Sequence, residues 1–132
     1  MAIAHRDTVM IGRTNGQHAQ PTTFGARIAQ WLEAFMRHQS RLAFAGDDAS
    51  TIQLGGMVGS LASVHPNGLE MRERMASRLG LNLIATNWHN SRDSIAAVAQ
   101  VLGLICASLA RIARDIAALG STDIAEVYEK GK

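Results

Sequence analysis

Between residues 91 and 119 the apolar side chains Ile95, Val98, Leu102, Ile105, Leu109, Ile112, Ile116 and Leu119 are spaced 3, 4, 3, 4, 3, 4 and 3 apart. An α-helix brings such positions onto one face. A 3.5-residue repeat held for more than three heptads is the seam by which helices wind about one another. A second stripe, Ala97, Val101, Leu104 and Ser108, flanks the first, so more than one side of this helix needs covering. From Ser91 to Leu119 the helix would run roughly 43 Å at 1.5 Å per residue. A self-sufficient globule of 132 residues is narrower than that, with a radius of gyration of only about 14 Å. The seam therefore predicts an all-α, elongated helical bundle that further chains complete.

The rest of the chain agrees with helices. Hydrophobic residues make up 47% but aromatics only 5%, a mix in which Ala, Leu and Met lose little freedom on helix formation. A first long helix is predicted from Thr22 or Thr23, either of which can cap it, to about Gly46-Asp47-Asp48. Ahead of it, residues 1–22 read as irregular or extended loops punctuated by Gly12, Gly16 and Pro21. QLGGMVGSLAS, at 53–63, carries too many glycines for a helix. It suits a close backbone approach or a loop facing a ligand. A turn at 63–68 leads to a short helix, Leu69 to Leu79, closing at Gly80. Asn90 or Ser91 can cap the last helix, with Asp93 in its first turn.

Several function classes are disfavoured. A net charge of +2, from 13 basic and 11 acidic residues, with no basic run, leaves no footprint for nucleic acid. The single Cys106 cannot form an internal disulfide; it suits a buried structural role in a reducing compartment. The N-terminus lacks a signal-peptide pattern. The uncharged, apolar run Ser94 to Ala110 is short and polar for a membrane span. A soluble, cytoplasmic chain with no membrane partner is expected. His5, His18, His38, His65 and His89 are scattered, so no metal site is expected, and no nucleotide-binding loop or other cofactor signal is present.

The stretch GRTNGQHAQPTTFG (12–25) is different. Arg13, Thr14, Asn15, Gln17, His18 and Gln20 set many donors just ahead of a helix N-terminus. Arginine and helix N-termini favour anions, carboxylates especially. An ordinary polar loop and cap is the other reading of the same residues.

GRTNGQHAQPTTFG resembles the first signature region of the fumarase/aspartase superfamily, G-R-T-H-x-Q-x-A-x-P-T-T-[LF]-G. HRDTVMIGRT resembles the lead-in of adenylosuccinate lyases and carboxymuconate cycloisomerases, and QLGGMVGSLAS their Gly-rich segment. WHNSRD resembles the cycloisomerase pattern W-H-T-x-R-D. STDIAEVYEKGK resembles the end of the long helix before the family's G-S-S-x-M-P-x-K-x-N-P loop. Trp88 stands where adenylosuccinate lyases usually have a substrate-touching Gln, which places the likeness nearer the cycloisomerase branch.

The resemblance implies a metal-free reaction on a polycarboxylate at sites built from three subunits of a homotetramer. It makes Thr14, Asn15, Gln17, Ser91 and Arg92 the expected substrate-binding residues, with Trp88 and His89 shaping the pocket. Arg13 is expected to be structural, and Gly55-Gly56 to serve close packing. Asn15 replaces the family His; an amide can orient a carboxylate but does not titrate near neutral pH. The family's general-base Ser lies beyond this chain. The 132 residues are thus expected to be one partial domain, inactive alone, without the family's N-terminal segment or its C-terminal loop and domain. Two alternatives remain: part of an adenylosuccinate lyase or related C–N lyase releasing fumarate, or a non-catalytic helical oligomerisation module.

Overall fold

Asn15 and Gly16 both take left-handed backbone angles, φ 49° and 74°. Positive φ at both central residues is what a two-residue type I′ hairpin turn requires, and Asn-Gly is its favoured pair. In the computed structural model, which describes residues 1–129 and 131, this turn joins β1 (Val9–Thr14) to β2 (Gln17–Thr23). The strands are antiparallel, from Val9 opposite Thr23 to Thr14 opposite Gln17, with an irregularity between Ile11 and Arg13. The loops expected ahead of the first helix are thus a two-stranded ribbon. Pro21 is tolerated because a two-stranded sheet consists only of edges.

α1 follows directly, Phe24–Ala49. Thr23 is its cap, its Oγ1 accepting from the Ala26 N–H at 3.2 Å. The helix runs on through Gly46 and both aspartates. α2, Gly68–Leu79, ends on Gly80 in the left-handed conformation, as expected. The glycine-rich stretch between them is a loop holding one 3₁₀ turn, Ala62–Val64. A Cβ on Gly55 would sit 2.7 Å from the Asn87 side chain, so the glycine there permits close packing. α3 is Asp93–Leu119, starting two residues later than Ser91. The carbonyl of Arg92 accepts its first bond, from the Ala96 N–H at 3.0 Å, so the expectation of an Asn90 or Ser91 cap is corrected. The three helices hold about half the residues of the chain.

The chain divides into two compact units, one of Met1–Gln39 with Gly103–Lys132, the other of Ser40–Leu102. In the first, Asp115 on α3 gathers three partners. Trp31 Nε1 donates to it at 3.1 Å, and Arg27 and Arg111 pair with it at 3.2 and 3.6 Å. His38, buried, meets Ser108 Oγ at 2.8 Å. In the second unit, Ile52, Leu61 and Ala76 are buried, and Thr51 pairs with Asn82 in an isolated bridge.

No side chain among the described residues is completely buried. On α3, Ile95, Leu102, Leu109 and Ile116 are each about half exposed, at 47, 48, 51 and 48%, and they stand seven residues apart. Cys106 lies on the open side too, against the expectation of a buried thiol. Counted as a helix, α3 is long and apolar enough to cross a membrane. That corrects the reading of Ser94 to Ala110 as too short and polar: Asp93 and Arg111 add little charge at the ends of the run.

Candidate functional site

The residues marked by the sequence fall in two groups, one in each unit. Thr14, Asn15 and Gln17 stand at the hairpin tip, all exposed. Their position follows from the turn: with Asn15-Gly16 at its apex, the flanking Thr14 and Gln17 form the last ladder pair. Beside the tip lies an open depression of about 700 Å³ lined by Arg13, Thr14, Gln20, Thr22, Arg27 and Gln30, among others. Of the three tip residues only Thr14 reaches it.

The arginines there are already engaged. Arg13 makes a two-pronged ion pair with Glu126, at 2.8 and 2.9 Å. The hydrogen bond from Arg13 holds the Glu126 carboxyl below the usual carboxylate range and raises the guanidinium in turn. Arg27 pairs with Asp115. An acidic ligand at the tip would therefore meet amide and hydroxyl donors rather than an uncommitted cation.

The second group is held by Trp88. Its indole Nε1 donates to the Ile52 carbonyl at 3.0 Å, and its backbone N–H donates to Gln53 Oε1 at 3.3 Å. Trp88 thereby ties the segment before α3 to the chain leaving α1. Arg92 turns back, Nε donating to the His89 carbonyl at 3.2 Å, and so helps shape the turn into α3. Trp88 and Ser91 line a small pocket of about 260 Å³ together with Asp48 and Asp93. Two carboxylates repel an acidic ligand, so this pocket alone does not suit a polycarboxylate. His89 and Arg92 do not line it. Among the described residues no three His, Cys, Asp or Glu side chains gather where one metal ion would sit.

Sequence reasoning missed the long-range side-chain pairings, two of which show why. Arg13 and Glu126 are 113 residues apart, and His38 and Ser108 are 70 apart. Nothing local in the sequence signals either; only the partial heptad alignment of α3 places Ser108 on a flanking stripe.

The framework is thus a hairpin feeding a long helix, a glycine-rich loop, and a Trp-His turn opening a second long helix. A family model described as "Lyase" matches residues 1–131, and the chain belongs to that family, within the fumarase/aspartase superfamily. The chain is similar to a 3-carboxy-cis,cis-muconate cycloisomerase of Bradyrhizobium diazoefficiens, 39% identical over 98% of this chain and 29% of that protein. It is also similar to an N-acetyl-S-(2-succino)cysteine lyase of Enterococcus italicus, 38% identical over 100% and 30%. The crystal structure of a 3-carboxy-cis,cis-muconate lactonizing enzyme from Pseudomonas putida superimposes with a TM-score of 0.95 at 39% identity, covering 99% of this chain and 30% of that one. The chain thus spans about 30% of the length of such relatives. In the motif STDIAEVYEKGK, Lys130 and Lys132 lie outside the described residues.

Proposed function

We propose that these 132 residues are the central helical portion, one partial domain, of a cytoplasmic 3-carboxy-cis,cis-muconate cycloisomerase-like enzyme in the breakdown of aromatic acids. In this reading a carboxylate oxygen of the substrate adds across a carbon–carbon double bond and closes a lactone. A proton is delivered to the carbon next to another carboxylate, through an aci-carboxylate whose extra charge oriented donors stabilise. Thr14, Asn15 and Gln17 supply such donors. Asn15 orients a carboxylate and transfers no proton. Ser91 and Arg92 make further substrate contacts, and Trp88 and His89 shape the pocket. The proton donor, the family's general-base Ser acting in its protonated form in this direction, comes from outside these residues.

The observation that carries the reading is the likeness at 38–41% identity to proteins named as cycloisomerases and lyases over nearly the whole chain. The engaged arginines at the tip support a site completed by other copies, which we take to be a homotetramer. The half-exposed seam of α3 supports the same assembly, because its heptad spacing suits helices that wind about one another. The likeness to a succinyl-cysteine lyase favours a second reading, elimination from a succinyl group with release of fumarate, as in adenylosuccinate lyases. A non-catalytic oligomerisation module is the third.

Ultraviolet assays on the intact protein, with 3-carboxy-cis,cis-muconate, adenylosuccinate and N-acetyl-S-(2-succino)cysteine, separate the three. The first reading predicts loss of the muconate chromophore and no fumarate from the other two. Fumarate production alone would establish the second, and no turnover at all the third. The isolated 132 residues are expected to turn over none of the substrates.

A further inference from the structure

The second unit holds a polar pocket of about 460 Å³, separate from the residues assigned above, lined by Ser60, His65, Arg72, Thr86 and Asn87 with the start of α2. Arg72 is the unusual member. It is only 8% exposed, and its one described bond is a donation from Nη2 to the Ala85 carbonyl at 3.2 Å. Its Nε is buried with no acceptor. No Asp or Glu pairs with it among the described residues. Glu70, on the same helix, is taken by Arg74, and no carboxylate lines the pocket. Buried charges in folded proteins are paired or bind a counter-ion, because desolvation otherwise goes uncompensated.

The surroundings add to the same sign. Gly68 and Leu69 open α2 and line the pocket, so the positive end of a twelve-residue helix faces it. The Asn67 side chain does not cap that end. Ser60 and Thr86 hydroxyls, the Asn87 amide and the His65 ring offer further donors within one wall.

We propose that this pocket is an anion site, in which Arg72 holds the oxyanion of a small carboxylate or phosphate. It shares Thr86 and Asn87 with the pocket beside Trp88 and Ser91, so an occupied site also stiffens the turn that opens α3. The proposal does not rest on the enzymatic reading, and its test needs no turnover.

The test is calorimetric titration of the intact protein with succinate and with inorganic phosphate, in chloride at fixed ionic strength. At least one of them should bind saturably, and Arg72→Gln should weaken that binding at least tenfold. The ligand that binds identifies the oxyanion class. No saturable binding of either, or equal affinity in R72Q, overturns the proposal. Should R72Q fail to fold, the double variant Ser60→Ala, Thr86→Val keeps the guanidinium and should weaken binding at least threefold; undiminished affinity overturns it. A crystal structure of the assembled protein with an Asp or Glu side chain seated on Arg72 overturns it as well.

Discussion

Asn15 carries two jobs that pull on the same residue. It occupies the position of the superfamily His in the signature region, and it is the first central residue of a left-handed hairpin turn. Asn and His are both enriched among non-glycine residues that accept positive φ, so the turn tolerates either. Asn15→Ala should destabilise the fold by about 1 kcal/mol, the lower end of the left-handed penalty for an ordinary residue, whereas Asn15→Asp should be near neutral. Thermal denaturation of the two variants checks this; equal loss in both would remove the turn from the account. Arg13 and Glu126 give a pH-dependent counterpart. The Glu126 carboxyl is lowered from its ordinary value of 4.5 by the Arg13 hydrogen bond. Its contribution is therefore complete above about that pH and is lost as pH falls through the lowered folded value. The protection factor of the Val127 amide, whose N–H donates to the Leu119 carbonyl, should fall on acidification once the intrinsic slowing of exchange is divided out, and Glu126→Gln should abolish that response.

At the scale of elements, what was legible in the sequence depended on whether the signal was periodic or local. The heptad seam announced α3, Thr23 marked the start of α1, and Gly80 the end of α2, because spacing and caps are local facts. The hairpin was also written locally, in Asn15-Gly16 between Thr14 and Gln17. It was obscured because QHAQPTT lacks the apolar alternation of a half-buried strand, and β2 is largely exposed. The structural work of Trp88 was not legible, since its partners Ile52 and Gln53 lie some 35 residues away. Trp88→Phe keeps the ring and deletes the bond to the Ile52 carbonyl. It should cost about 1 to 3 kcal/mol, the price of a half-buried acceptor left without its donor. Chemical denaturation with unchanged slope would show this; no change in midpoint would mean that water replaces the indole.

For the whole molecule, the decisive quantity is uncovered apolar surface. On α3 alone, covering the exposed halves of Ile95, Leu102, Leu109 and Ile116 would contribute roughly 3 to 6 kcal/mol per helix. That is comparable to the net stability of a small domain, and it is what the proposed association of copies would gain. The period of the seam makes its open apolar face legible in the sequence, but not which residues of the candidate site partner copies would bring together. Such residues have no common period, and here they fall in separate units. We propose that sister copies cover α3. The direct measurement is sedimentation equilibrium of the purified chain at micromolar concentration, alongside a Leu102→Asp, Leu109→Asp variant. The parent chain is expected to form a discrete oligomer and the variant to dissociate. A parent chain that sediments as a stable, folded monomer, with the variant unchanged, would contradict it.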